Sequence, residues 1–182
     1  MENNTLAHLE TLRQDARDEI KRRIEQRNKY SIQMTIALGA LVAVSFSSRF
    51  SPDLRAVLIA MPLVSIYYTV LILYSYRIHH VLAKYLRDKI EPKLALGYGI
   101  EQNTEWEIYY EQQEVPGIRR WFFLVALWAV TIFTLGSFWA EENLRAALGD
   151  ALLVMTIVYG TLVFFITLWD LNIKILLKRK KR

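Results

Sequence analysis

Residues 121–140 read WFFLVALWAVTIFTLGSFWA, twenty consecutive positions without Asp, Glu, Lys or Arg. A helix of that length is about 30 Å long at 1.5 Å per residue, the thickness of a bilayer's hydrocarbon core. Three further stretches, 30–48, 56–76 and 151–169, are equally free of these four residue types. The chain of 182 residues is 53% apolar and 23% charged, so the charge is confined to the segments between these runs. A soluble domain, at 45–50% apolar, spreads its charge along the whole chain. The pattern excludes a soluble globular enzyme, a secreted disulfide scaffold and a disordered tail. It predicts an all-α polytopic membrane protein: a four-helix transmembrane bundle with long helices extending into the cytoplasm.

Basic residues set the orientation. Segments 1–29 and 77–120 carry seven Lys or Arg each and the tail 170–182 carries six, which is twenty of the 23 in the chain. The short connections 49–55 and 141–150 carry the other three. By the positive-inside rule both termini and the central segment are cytoplasmic. The expected order is therefore a cytoplasmic amphipathic helix (1–29) continuous with the first span, and a transmembrane hairpin (30–76) with spans 30–48 and 56–76. A cytoplasmic helical segment (77–120) follows, then a second hairpin (121–169) with spans 121–140 and 151–169, and a basic tail (170–182). The expected location is the inner membrane, with the lipid bilayer as first partner. No cleavable signal peptide is expected, because the first apolar run begins near residue 30 and is too long for a signal core. The chain has no Cys, so disulfides, thiolate nucleophiles and Cys-ligated metals are ruled out.

In the N-terminal segment Leu6, Leu9, Leu12, Ala16, Ile20 and Ile24 recur at steps of three and four, one stripe of a helix. Asp18–Arg22 and Glu19–Arg23 have the acid-before-base spacing that supports an exposed helix. No Pro or Gly falls within residues 1–38, so this helix should run unbroken into the first span. Its stripe needs cover, from a second copy or from the central segment. Leu6, Leu9, Ala16, Ile20 and Ile24, with Trp106 and Tyr109, are the candidates for a cytoplasmic contact with another copy or a cytosolic protein. Pro62 lies within the second expected span and predicts a kink there. That helix should continue through Ile78, Val81, Leu82, Tyr85, Leu86 and Ile90, to be ended by Pro92 and the glycines Gly97 and Gly99. Tyr30, Tyr76, Trp121, Trp139 and Trp169 fall at span ends, as in an interfacial aromatic belt.

Signals for chemistry are sparse. His79 and His80 are adjacent, so on a helix they point about 100° apart and cannot readily share one metal. Glu107, Glu111 and Glu114 share a helical face, but a solvated acidic face explains them as well as a carboxylate site does. Nucleotide-binding glycine patterns are absent. The tail Lys178–Arg182 reads as a topology anchor on anionic lipid. No catalytic residue, metal or cofactor is expected, nor any nucleic-acid partner, and the chain is read as a non-enzyme.

Proton-coupled carriers keep ionisable groups at mid-depth in their spans; none of the four runs holds Asp, Glu, Lys or Arg. What remains is polar and uncharged. Ser31, Thr35, Leu38, Val42 and Ser45 share one face of the first span, polar at its ends and apolar between, which is suited to lining a hydrophobically gated pore. Gly39, Ala40, Ala43 and Ser47 adjoin it, and with Gly160 on the fourth span they are candidates for close helix packing. Ordinary packing within the bundle is the simpler explanation of both faces.

Residues 16–20 (ARDEI), Arg27 and Tyr30, residues 74–79 (YSYRIH), then Tyr85–Arg87, Ile90–Pro92 and Trp106-Glu107, resemble those of small bacterial four-pass membrane proteins of unassigned function. The resemblance covers roughly residues 15–125. Proteins of this general look also occur as membrane effectors in bacterial antiphage systems. Four short spans, little external mass, a long helical stalk and the uncharged polar face of the first span lead to the expected function, an oligomeric effector that conducts ions or perturbs the membrane. The alternative is a non-conducting anchor that recruits a cytosolic partner through its helical stalk.

Overall fold

Without Pro or Gly before residue 39, nothing in the first stretch interrupts a helix, and α1 (Glu2–Phe46) runs unbroken from the charged segment into the first charge-free one. The computed structural model describes residues 2–46, 58–99, 118–140 and 142–179. Along α1, Glu19 pairs with Arg23 at 2.5 Å as its spacing foretells, but Arg22 reaches back to Glu19 at 3.9 Å, not to Asp18. Arg13 adds a pair to Glu10.

After a 3₁₀ turn at 58–59, α2 (Ala60–Tyr85) begins, which places Pro62 in its first turn. There the missing N–H has no helical acceptor to lose. The expected kink is corrected: Pro62 lies at a helix start and does not interrupt its interior. Pro92 is a second correction. The chain passes from α2 through a π-helical turn (Leu86–Ile90) into α3 (Glu91–Tyr98). The Glu91 N–H donates to Leu86 O, five residues back. Ile90 shifts to φ −97° and ψ −57°, and Pro92 falls in the opening turn of a new helix. A proline is tolerated there, so it passes the helix on and does not end it. The end comes at Gly99, as the glycines suggest. Its φ of 66° is left-handed and its N–H caps the Ala95 and Leu96 carbonyls.

Residues 1–29 and 74–117 form one compact unit. Its core joins Ala16 and Ile20 of α1 to Leu86, Ile90 and Leu94, with Leu6, Leu9, Leu12, Leu82 and Ala83 packed around them. The pairing is antiparallel: Leu6 lies at Gly97, Arg17 at Glu91 (3.5 Å), and the Ser75 hydroxyl donates to Arg23 O (3.0 Å). A Cβ at Gly97 would meet the end of the Leu6 side chain, which would have to shift to make room.

Residues 30–73 and 118–182 form the second unit. In it α4 (Ile118–Ala140) and α6 (Asp150–Arg179) are joined by a short helix, α5 (Glu142–Leu148), where a plain turn was expected. Gly149, at φ 47°, closes α5 by donating to Arg145 O at 2.9 Å. Two indoles tie α4 to α6: Trp139 Nε1 donates to Thr156 Oγ1, and Trp128 Nε1 to Thr167 Oγ1, each at 3.1 Å. Both threonine hydroxyls donate in turn to a carbonyl four residues back. Interhelical bonds of this kind contribute about 0.6–1.7 kcal/mol each in a bilayer. Replacing Thr156 and Thr167 together by Val should lower the unfolding midpoint in mild detergent, whereas Thr161→Val, at an exposed position, should leave it unchanged. Circular dichroism on heating checks this.

Among the described residues three helical runs are long and apolar enough to cross a membrane: Ala60–Tyr98, Trp121–Ala140 and Asp150–Leu171. The other expected span, 30–48, extends beyond the described residues.

Candidate functional site

Two faces of α1 beyond residue 30 carry the residues singled out for a pore and for packing. Ser31, Leu38 and Val42 are half-buried, and Thr35 is exposed. The Thr35 hydroxyl donates to Ser31 O at 3.0 Å, the local back-bond that lets a polar side chain sit in an apolar setting. The side chain of Ser45 and all of Ser47 lie outside the described residues. The outward face is the other one. Gly39, Ala40 and Ala43 are exposed together with Thr35 and with Ile32 and Ile36, which are 60% and 65% exposed. Among the described residues, a Cβ added at Gly39 or Gly160 would meet nothing within 4 Å. Their smallness is therefore not used by a neighbouring helix of the same chain.

The apolar stripe nearer the N-terminus has a different fate. Ala16 and Ile20 are buried, Leu6 and Leu9 half-buried, and all four pack on the π-turn and α3 of their own chain. Of the two covers the sequence allowed, the central segment is the one used. These four therefore meet their own chain, Leu6 and Leu9 only in part, while Ile24 stays 39% exposed. Trp106, Tyr109 and the acidic face 107–114 lie outside the described residues.

Where α1 crosses α2, the Arg27 guanidinium lies over the Tyr76 ring, 4.0 Å from its centroid. His79 follows one turn on. Its Nδ1 is buried and meets no hydrogen-bond partner among the described residues. Burial first, then the nearby Arg27 and His80, hold its pKa below the ordinary histidine value. The imidazole is therefore neutral at pH 7. Farther along, the Glu91 carboxylate is fully buried, and Arg17, itself 42% exposed, reaches it. Sequence reading missed both contacts. A signal for the second was present, since Glu91 stands one residue after Ile90 and three before Leu94 on an otherwise apolar stripe.

Hydroxyls, with the carboxylate of Asp170 (1% exposed) near the end of the run Asp150–Leu171, are among the buried polar groups of the apolar helices. Ser65 and Thr69 of α2 and Thr131 and Thr134 of α4 are buried. Thr131 donates to Leu127 O at 2.8 Å, while the Thr69 and Thr134 oxygens meet no hydrogen-bond partner among the described residues. Trp121, Trp139 and Trp169 are 45%, 42% and 37% exposed. Among the described residues no three of His, Asp and Glu converge to hold a metal ion.

No family model, curated protein or solved structure matches this chain. What its own features define is a class: an all-α protein with three helices long and apolar enough to cross a membrane, consistent with a membrane location.

Proposed function

We propose that this chain is an integral inner-membrane protein that crosses the bilayer four times with both termini in the cytoplasm. It assembles with copies of itself and acts as an effector that conducts ions or perturbs the membrane. By analogy of architecture with small multi-pass membrane effectors, the setting proposed for it is bacterial antiphage defence. The observation that carries the reading is the outward face of α1: Ile32, Thr35, Ile36, Gly39, Ala40 and Ala43 are exposed on one side of a helix in the first charge-free run. Small residues at spacings of four let helices approach closely in lipid, where there is no hydrophobic drive to bring them together. One chain of this size encloses no wide channel, so conduction requires several copies. The four runs 30–48, 56–76, 121–140 and 151–169 hold no Asp, Glu, Lys or Arg, and with Asp170 as the one buried carboxylate bordering them among the described residues they suit a passive path better than a proton-coupled carrier. The anchor alternative loses its main support, because Leu6, Leu9, Ala16 and Ile20 already pack against their own chain.

Light scattering in mild detergent, with the detergent mass subtracted, tests the assembly. The expected mass is that of four or more copies, falling to one or two with Gly39→Phe. In proteoliposomes Ser45→Phe should change ion flux at least tenfold. A single-chain mass for the natural protein would overturn the pore reading.

A further inference from the structure

We propose that the crossing of α1 and α2 at Arg27, His79 and His80 is a binding site for the phosphate of an anionic phospholipid. It rests on the reading that the second span ends at Tyr76, which puts His79 one turn beyond the apolar run, at headgroup depth. Three observations meet there. The Arg27 guanidinium is fixed in place by its stack on Tyr76, 4.0 Å from the ring centroid. Beside it the two helices are pinned by the Ser75 hydroxyl on Arg23 O at 3.0 Å, which ties α1 to α2 at this crossing. His79 presents a buried Nδ1 that meets no hydrogen-bond partner among the described residues.

The charged and titratable groups acting on His79 are Arg27 from α1 and His80 from its own helix, and both oppose its protonation. A phosphate diester there would reverse that effect. It would accept hydrogen bonds from the guanidinium and from an imidazolium, and its negative charge would favour the protonated ring. Binding and proton uptake are therefore linked: lowering the pH toward the histidine range strengthens binding, and bound anion draws a proton onto His79. Basic residues just inside a span already favour anionic lipid in a general way. A formed site differs in its dependence on particular residues and on pH.

The test is native mass spectrometry of the full-length protein in mild detergent, titrated separately with phosphatidylglycerol, phosphatidylcholine and inorganic phosphate. The expected result is at least tenfold tighter retention of phosphatidylglycerol than of phosphatidylcholine. That preference should fall at least fivefold in Arg27→Gln and stay unchanged in Lys21→Gln, a change at an exposed position of α1. From pH 7.5 to 6.0 retention should rise in the natural protein and not in His79→Gln. Circular dichroism confirms that each variant keeps its helices. Equal retention of the two lipids, or a preference indifferent to both Arg27 and His79, overturns the proposal. Displacement of the lipid by inorganic phosphate at similar concentration overturns the lipid as the source of the phosphate. A monomeric mass or absent ion flux would overturn the function proposed above and leave this site standing.

Discussion

Leu86→Ala is expected to loosen the unit formed by residues 1–29 and 74–117, at a cost of about 2–5 kcal/mol. Leu86 is fully buried at the start of the π-turn, packed with Ala16, Ile20, Ile90 and Leu94. The unit is small, so its core has few side chains with which to refill a cavity. Helix α1 is held there by this cluster, by the Arg17–Glu91 pair and by the Ser75–Arg23 bond. Weakening the first exposes a stretch rich in arginine. The measurement is limited trypsin digestion in mild detergent: Leu86→Ala should be cut between residues 13 and 29 at least tenfold faster than the natural chain. Leu96→Ala removes the same atoms from a position 84% exposed and should be within about 0.5 kcal/mol of neutral. Equal cutting of both variants would show that the cluster does not hold α1.

Deleting Lys89 should do comparable damage, although its side chain is exposed. The π-turn spans Leu86–Ile90 and accommodates one residue more than an α-helical turn does. Removing one lets the α-helix run straight through. Pro92 would then stand in a helix interior, where the lost hydrogen bond and the ring clash cost about 3 kcal/mol or more, within a segment whose Leu94 and Ala95 are buried. The expected outcome is loss of the cooperative unfolding transition of this unit, with the helices of the second unit intact. Lys89→Ala, which keeps the residue count, should be nearly silent. Thermal circular dichroism with hydrogen exchange on residues 6–24 separates the two.

The helices themselves were legible because charge-free runs of span length and a Gly- and Pro-free start leave few alternatives. The stop at Gly99 was legible for a similar reason, as a left-handed helix end suits glycine best. The roles of Pro62 and Pro92 were not. A proline declares only that its own N–H is missing; whether that falls in a first turn or an interior depends on where the helix begins, and for Pro92 on a π-turn that no residue pattern announces. The stripe through Ala16 and Ile20 was visible, but its partner could not be chosen between two candidates of matching periodicity. Contacts such as Arg27 on Tyr76 join residues some fifty positions apart. Local spacing cannot specify them.

The separation between α1 and its cover has a consequence for how the chain is made. Arg17 and Glu91 stand 74 residues apart, and Leu94 comes later still. A ribosome adding about 5–20 residues per second delivers the N-terminal helix roughly 4–15 s before its cover. On the proposed topology Leu6, Leu9, Leu12, Ala16 and Ile20 are throughout that interval a naked leucine-rich strip in the cytosol, and a full hairpin must insert before it can be shielded. A delay in inserting that hairpin would prolong the exposure of the strip, so the pace of insertion sets how long this helix goes without its cover.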